Sequence, residues 1–283
     1  VNLVHGARDA VSALLDHPDI NAISFVGKAE TARLVAQRAS ASGKRYQALG
    51  GAKNSMIVMP DAKPELFVPG VMHSAFGAAG QRCLAGSVLL VVGTQAEQQR
   101  TVDAVVAAAR ELKVGAGMDA DTDVCPLVSP EARERIEAQI TGVLSDGGEL
   151  LLDGRIGGGE GGSLLAPTVV EPPHRDHSLT RDEVFGPVLS IVRAADLAEA
   201  IDYTNGSRYG NAAVLFTDSG TSAQQFRRGI EAGMLGVNVG VAAPVAWFPF
   251  SGWKDSFDGD LHANGRDAFE FYTRKKVVTE RWS

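Results

Sequence analysis

One cysteine of this sequence lies directly after a run of small residues. Residues 77–83 read Gly-Ala-Ala-Gly-Gln-Arg-Cys, and an apolar stretch begins at Ser87. Small residues let the backbone approach a bound molecule closely, and a thiolate beside a cation such as Arg82 attacks carbonyl carbons. The pattern indicates a nucleophilic Cys83 with a lowered pKa. A small, inert, buried thiol is the competing interpretation, which local sequence leaves open.

Glu183 is a second candidate, since Val-Phe-Gly-Pro follows it. Glycine and proline fix turns, and a fixed turn presents a carboxylate in one direction. A solvated loop acid is the plainer alternative. Two further segments, 49–54 and 248–254, interleave glycine with lysine or aromatic residues, which is as typical of packed corners as of binding sites.

The histidines and the second cysteine indicate no further chemistry. His174 and His177 flank Asp176, and a zinc site needs a third and usually a fourth ligand within reach, so we expect no bound metal. Two cysteines are too few for a disulfide framework. Cys83 and Cys125 are therefore interpreted as free thiols in a reducing compartment, with Cys125 structural.

Strand and helix signals alternate along the chain and place both candidates in loops beside strands. The predicted strands are 22–26, 55–59, 87–92, 212–216 and 234–239, and 276–282 has strand propensity. The predicted helices are 7–15, 64–76, one through 32–39, and three with N-caps at Thr94, Ser129 and Asp196. Strand, glycine turn and helix in succession favour an α/β fold with a parallel sheet.

Composition excludes some classes of protein. The net charge of −7 argues against a dedicated nucleic-acid binder, which needs a basic face. No apolar run approaches the ~20 residues of a membrane span, and no secretory signal is visible. We therefore expect neither nucleic-acid nor membrane partners and a cytoplasmic location, with the mitochondrial matrix as an alternative.

A glycine-rich run at 157–162 has the composition of a phosphate-binding loop. Such a loop needs a strand before it and a helix after it, whereas Ser-Leu-Leu-Ala-Pro follows this run. Proline and the preceding apolar residues do not open a helix well. We therefore interpret the run as a surface loop that binds no phosphate.

Four segments together resemble the aldehyde dehydrogenase family, and the resemblance extends along essentially the whole chain. Residues 80–83 are similar to that family's catalytic-cysteine motif, and 182–187 (Asp-Glu-Val-Phe-Gly-Pro) to its Glu-Glu-Ile-Phe-Gly-Pro motif. Residues 25–27 are similar to its strand-to-helix turn near the cofactor diphosphate, and 248–254 to its Pro-Phe-Gly-Gly-x-Lys segment. The resemblance implies an α/β aldehyde dehydrogenase-like fold with a Rossmann-like nucleotide-binding domain.

The resemblance also implies residue roles. Cys83 attacks the aldehyde, hydride passes to NAD, and a thioester remains on Cys83, whose backbone N–H forms half of an oxyanion hole. Glu183 holds the nicotinamide ribose, and Phe185 packs beside the ring. The helix N-terminus after Gly27 faces the diphosphate. Lys28 stands where the family usually has serine and can still meet a phosphate.

One departure from the family pattern determines the implied reaction type. Members that hydrolyse their thioester carry Glu-Leu-Gly-Gly, whereas this chain has Ala48 before Leu-Gly-Gly and so lacks the base that activates water. The methylmalonate-semialdehyde dehydrogenases lack this glutamate, and the chain resembles them in 51–54, 59–62 and 77–83. That resemblance implies coenzyme A as acyl acceptor, loss of carbon dioxide to give propionyl-CoA or acetyl-CoA, and Arg82 as the contact for the substrate carboxylate.

The expected organisation follows from the same resemblance. Residues 1–50 are the C-terminal half of the nucleotide-binding domain, 51–252 the catalytic domain, 253–268 a return to the cofactor side, and 269–283 the arm of a homodimer or homotetramer. The family's asparagine oxyanion donor has no counterpart in this sequence. Two alternatives stay open: a hydrolytic NAD(P)-dependent aldehyde dehydrogenase, and a truncated chain that folds without turning over.

Overall fold

The computed structural model describes residues 1–156 and 162–283. Apart from Gly162, the glycine-rich run interpreted as a surface loop lies outside the described residues. The chain divides into two compact units. One is formed by Val1–Gly51 with Pro244–Ser283, and the other by Ala52–Ala243.

Helices and strands alternate along the described chain, as the sequence predicts. The helices are α1 Arg8–Asp16, α2 Ala29–Ala41, α3 Pro64–Phe76, α4 Gln95–Arg110, α5 Pro130–Ser145, α6 Ser178–Arg181, α7 Leu197–Asn205, α8 Gly220–Gly229 and α9 Gly265–Tyr272, with a 3₁₀ turn at Gly77–Gly80. The strands are β1 Ala22–Val26, β2 Arg45–Leu49, β3 Asn54–Val58, β4 Gly86–Val92, β5 Glu149–Leu152, β6 Thr168–Glu171, β7 Val188–Ala194, β8 Tyr209–Gly210, β9 Ala212–Phe216, β10 Met234–Val237, β11 Trp253–Lys254 and β12 Phe257–Gly259.

The smaller unit is built on a three-stranded sheet in the order β1-β2-β12. β1 and β2 are parallel, and β12 returns antiparallel to β2. Helix α2 packs Ala32 and Ala36 against Ala48 of β2, because alanine lets a helix lie close to a sheet. Arg45 of β2 donates to the carbonyls of Glu270 and Thr273 at 2.6 and 2.7 Å, which satisfies the carboxyl end of α9.

The larger unit is a seven-stranded sheet in the order β10-β9-β3-β4-β7-β6-β5. Every pairing is parallel except that of β5 with β6. Apolar residues cover both faces: Leu89 and Val91 pack with α3, α4 and α5, whereas Val88 and Leu90 pack with α7 and α8. Continuous apolar strands are typical of a sheet that is buried on both sides, and they give this unit its rigid three-layer frame.

The predicted helix starts are confirmed by their capping bonds. Thr94 and Glu97 form a capping box, Ser129 Oγ accepts from the Ala132 N–H at 3.2 Å, and Asp196 accepts from the Glu199 N–H at 2.9 Å. Hydroxyl and carboxylate oxygens satisfy N–H groups that the first helical turn leaves without partners. The local signals in the sequence were therefore sufficient to place these helix starts.

The end of the chain differs from the sequence expectation in two places. Residues 276–282, which have strand propensity, form no strand within the part that the structure describes, because a single extended segment has no ladder to join. Residues 244–252 belong to the smaller unit, whereas the sequence expectation placed them in the catalytic domain, 51–252. Hydrogen bonds from Phe250 N–H to Ala263 O (2.7 Å) and from Gly265 N–H to Ala246 O (3.1 Å) hold them there.

Candidate active site

Four residues of the larger unit lie at one edge of its sheet. β9, β3, β4 and β7 are consecutive and parallel, so their amino ends share an edge. Asn211 precedes β9, Asn54 begins β3, Cys83 lies just before β4, and Glu183 lies just before β7. The fold therefore brings together segments that are far apart in the sequence.

The loop that carries Cys83 is held in an unusual backbone conformation. Ala78, Ala79 and Gly80 have φ of 53°, 53° and 67°, a left-handed region that residues other than glycine avoid. A Cβ added to Gly80 would lie 2.3 Å from the Gly186 carbonyl oxygen, so only glycine fits at this contact. The cysteine loop and the loop of Glu183 are thus packed directly against each other, and the packing supports the strain.

The Cys83 residue is exposed, as a nucleophile must be. Its thiol nevertheless departs from the sequence expectation of a lowered pKa. Partial burial raises the pKa of Cys83, and the charge of Glu183 adds to that effect, whereas hydrogen bonds from the backbone N–H groups of Cys83 and Leu84 and the charge of Arg82 act to lower it. The expectation of a lowered pKa was therefore wrong in its net sign, because removal of a charge from water outweighs one neighbouring cation.

Arg82 is turned toward the carboxyl end of α3. Its Nη2 donates to the carbonyls of His73 and Ser74, the latter at 3.2 Å. A cation is favourable there, because the last carbonyls of a helix carry partial negative charge. Its buried Nε has no hydrogen-bond partner within the described ranges. The guanidinium therefore anchors the start of the cysteine loop.

Glu183 and Phe185 line one cavity with Arg82 and Asn54. Glu183 Oε1 accepts from the Ala52 N–H at 3.2 Å. Phe185 adopts φ of 55°, which is unusual for an aromatic residue, and the residue is 44% exposed. The exposed Phe185 ring and the Glu183 carboxylate therefore lie beside one cavity. This arrangement suits a ligand that has both a flat ring and polar groups.

Lys53 is the lysine of the segment 49–54, for which the sequence predicted no individual role. The side chain is buried, and its Nζ has no hydrogen-bond partner among the described residues. Burial lowers the pKa of Lys53 from 10.5 to about 8, against the opposing influence of Glu183 and Asp182. Placing this amine beside the Glu183 loop therefore has a cost in stability.

Gly27, Lys28 and Ala48 lie in the smaller unit. Gly27 ends β1 and its N–H donates to Leu49 O at 3.0 Å. Lys28 is the exposed N-cap of α2 and makes no side-chain capping bond. Its side chain therefore does not occupy the backbone N–H groups of the first turn of α2. Ala48 lies within β2 and is fully buried. The predicted turn between strand and helix is confirmed.

His177 and Cys125 were the other candidates in the sequence, and the structure gives their contacts and burial. His177 caps α6 by accepting from the Leu179 N–H at 3.1 Å, and its Nε2 lies 3.1 Å from Asp146 Oδ2. Cys125 is half-buried. Across residues 1–156 and 162–283, no cluster of three metal-ligating side chains occurs. Nor is any helix in that part of the chain long and apolar enough to cross a membrane.

Two asparagines at the site were missed by sequence reasoning about individual roles. Asn54 and Asn211 both donate from Nδ2 to the carbonyl oxygen of Cys83, at 2.9 and 2.7 Å. Asn54 is the first residue of an apolar strand and Asn211 directly precedes one, and a polar side chain buried at such a position needs a partner. That position is the signal that could have identified them, although it does not reveal which carbonyl they meet.

Comparison with known proteins agrees with this geometry. A malonate-semialdehyde dehydrogenase of Geobacillus kaustophilus is 48% identical over 284 residues, which cover 100% of this chain and 58% of that protein. The chain thus spans little more than half the length of this relative. The crystal structure of methylmalonate-semialdehyde dehydrogenase from Oceanimonas doudoroffii superposes with a TM-score of 0.94 at 39% identity, covering 98% of this chain and 57% of that one.

A more distant structure shows the same fold. Mycobacterium tuberculosis aldehyde dehydrogenase in complex with NAD⁺ superposes with a TM-score of 0.88 at 29% identity, over 96% of this chain and 55% of that chain. The model of the aldehyde dehydrogenase family matches residues 1–278. With both compact units included in that match, this chain belongs to the aldehyde dehydrogenase family.

Proposed function

We propose that the protein containing this chain is an NAD-dependent, coenzyme A-acylating dehydrogenase of malonate or methylmalonate semialdehyde, with loss of carbon dioxide. The observation that carries the proposal is Ala48, which places a buried methyl group where hydrolytic members carry a carboxylate. Relatives described as malonate-semialdehyde dehydrogenases, 48% identical to this chain, support the substrate class. Acetyl-CoA or propionyl-CoA is the corresponding product.

Cys83 supplies the nucleophile in this reaction. Its thiolate adds to the aldehyde carbon, and the Cys83 N–H donates to the alkoxide that forms. NAD, when bound, supplies the acceptor for the hydride. The thiolate of coenzyme A then attacks the thioester of Cys83, and the Cys83 sulfur leaves as a thiolate. In the decarboxylation, the thioester carbonyl takes up the electron pair of the breaking C–C bond, and a proton from solvent replaces the carboxylate.

The proposed NAD-binding residues fit their roles by chemistry. Glu183 offers a carboxylate for ribose hydroxyls, and the exposed Phe185 ring offers a flat apolar surface for the nicotinamide. In the smaller unit, the helix that starts after Lys28 offers backbone N–H donors for a diphosphate. The exposed Lys28 ammonium adds positive charge there.

Arg82 is proposed to hold the carboxylate of the substrate. A guanidinium matches a carboxylate in two parallel hydrogen bonds. Because Nη2 now donates to the carbonyls of His73 and Ser74, this role requires Arg82 to exchange at least one of those bonds for the substrate. In that case substrate binding changes the hydrogen bonds by which Arg82 holds the cysteine loop against α3.

Acyl-acceptor dependence tests the reaction type. NADH formation from malonate semialdehyde is expected to continue only with coenzyme A and to stop after one burst without it, since general-base help to water is worth ~10²–10⁴ in rate. Ala48→Glu is expected to raise turnover without coenzyme A, and Ala48→Gln, of equal size but without a base, is the matched control.

Two results contradict the proposal. Equal turnover with and without coenzyme A identifies a hydrolytic dehydrogenase. No burst of NADH under any condition, in protein that is folded by circular dichroism, identifies a chain that folds without catalysing the reaction.

A further inference from the structure

Two side-chain amides converge on one carbonyl oxygen at the candidate active site. Asn54 Nδ2 donates to Cys83 O at 2.9 Å, and Asn211 Nδ2 donates to the same oxygen at 2.7 Å. A carbonyl oxygen has two lone pairs, so this pair of bonds saturates it. The carbonyl belongs to the peptide group that joins Cys83 to Leu84.

Both amides are fixed by the sheet. Asn54 and Asn211 are 5% and 6% exposed, and they stand at the amino ends of the adjacent parallel strands β3 and β9. Asn54 also donates to Ala85 O at 2.9 Å and accepts from the Ala212 N–H at 3.0 Å. Among the described residues, the Asn211 side chain makes one hydrogen bond, that to Cys83 O, which makes Asn211 the cleaner site to change.

The N–H of Leu84 belongs to the same peptide group. Together with the N–H of Cys83, it acts to lower the pKa of the Cys83 thiol, which partial burial raises overall. Resonance couples the C=O and N–H of a peptide group, so donors on the oxygen make the N–H a stronger donor. The two amide bonds to Cys83 O therefore act on the thiol through this peptide group.

We propose that Asn54 and Asn211 are positioning residues that stabilise the Cys83 thiolate through the Cys83–Leu84 peptide group. The proposal rests on the proposed role of Cys83 as nucleophile. The two amides hold the carbonyl in one orientation, which fixes the direction of the Leu84 N–H, and they strengthen that N–H as a donor.

Other charges act on the same thiol and must be held constant. Glu183 disfavours the thiolate and Arg82 favours it, while Lys53 and Asp182 lie near Glu183. Asparagine carries no charge, so Asn211→Ala leaves every one of these charges in place. A change in thiol titration in this variant therefore reports the loss of the Asn211 bond to Cys83 O.

The test is the pH profile of Cys83 alkylation by iodoacetamide, read by peptide mapping in the absence of aldehyde, NAD and coenzyme A. Asn211→Ala is expected to move the midpoint upward by about 0.5–1 pH unit and to slow alkylation at pH 7 by about 3- to 10-fold. Asn211→Ser, which keeps a donor in a smaller side chain, is expected to fall between Asn211→Ala and the unchanged protein, and it serves if the alanine variant does not fold.

Asn205→Ala is the matched control. The Asn205 amide donates to Gly229 O at 2.7 Å, so its loss is expected to lower the melting temperature without moving the Cys83 profile. An unshifted Cys83 midpoint in the folded Asn211 variants overturns the proposal and shows that the amides hold only the fold. Because no substrate is present, a wrong assignment of the acyl acceptor leaves this result unaffected.

Discussion

The two units carry the motifs of the proposed sites at opposite ends of parallel strands. In the smaller unit, Gly27 and Lys28 follow the carboxyl end of β1, the end at which open α/β sheets ordinarily bind ligands. In the larger unit, Cys83 and Glu183 precede the amino ends of β4 and β7. The first region offers backbone donors of a helix terminus, whereas the second depends on buried side chains.

The difference shows how each kind of site is stabilised. A helix terminus provides its N–H groups as a consequence of helix geometry, and an exposed Lys28 costs little. The amino edge of the larger sheet instead buries the amine of Lys53, the guanidinium Nε of Arg82 and two amides. We infer that the cysteine site reduces the stability of its unit and that the turn after β1 does not, and the following substitutions test this contrast.

The largest expected effect is on stability, from Lys53→Met. Burial lowers the pKa of Lys53 from 10.5 to about 8, and each unit is worth ~1.36 kcal/mol, so burial of the amine costs on the order of 3 kcal/mol below pH 8. Between pH 8 and 10.5 the unfolded chain binds more protons than the folded one, so stability rises with pH there. Lys53→Met is expected to add about 3 kcal/mol at pH 7 and progressively less toward pH 10.5.

Urea unfolding at pH 7 and pH 9.5 measures both parts of this expectation. The control is Lys63→Met, since Lys63 is half-exposed and paired with Asp218 at 3.1 Å, and its change is expected to stay within about 0.5 kcal/mol. Unaltered stability of Lys53→Met at both pH values would mean that the amine is well solvated, and the contrast between the two regions would lose its main support.

The sequence predicts the helices and strands better than it predicts the contacts between the loops at their ends. Continuous apolar runs predict β4 and β9 nearly to the residue, and side-chain caps predict α4, α5 and α7. The encounter of Gly80 with Gly186 and the bond from Asn211 to the Cys83 carbonyl join residues more than 100 positions apart. Such pairings depend on strand order, which local pattern does not determine, and the net pKa shift of Cys83 depends on burial in the assembled fold.

The second expected effect separates two roles of Arg82, the proposed contact with the substrate carboxylate and the hydrogen bonds that hold the cysteine loop. If Arg82 meets the substrate carboxylate, Arg82→Ala raises KM for malonate semialdehyde by about 10- to 100-fold and changes propanal oxidation little, since hydrogen bonds to charged groups contribute ~1.5–3 kcal/mol. Steady-state kinetics with both aldehydes measure the split.

The control for Arg82 is a second arginine that anchors a site loop. Arg135 donates to Val184 O at 3.0 Å, beside Glu183, and Arg135→Ala is expected to lower activity toward both aldehydes alike. If Arg82→Ala also lowers activity toward both aldehydes equally, Arg82 does not contact the substrate carboxylate. Its role is then limited to its hydrogen bonds with His73 and Ser74. The Arg82 guanidinium at the amino edge of the larger sheet would then be structural and would not select substrates.

The smallest expected effect concerns the turn after β1. Lys28 has φ of −64° and ψ of 149°, the extended conformation of an N-cap, but makes no side-chain capping bond. Lys28→Ser supplies an oxygen to the first-turn N–H groups, and it is expected to be more stable than Lys28→Ala by about 0.5–1 kcal/mol. Thermal unfolding of the two variants measures the difference, and their equal loss of charge removes electrostatics from the comparison. Equal stability would mean that these N–H groups already have partners, and the helix terminus would then have no donors left for a diphosphate.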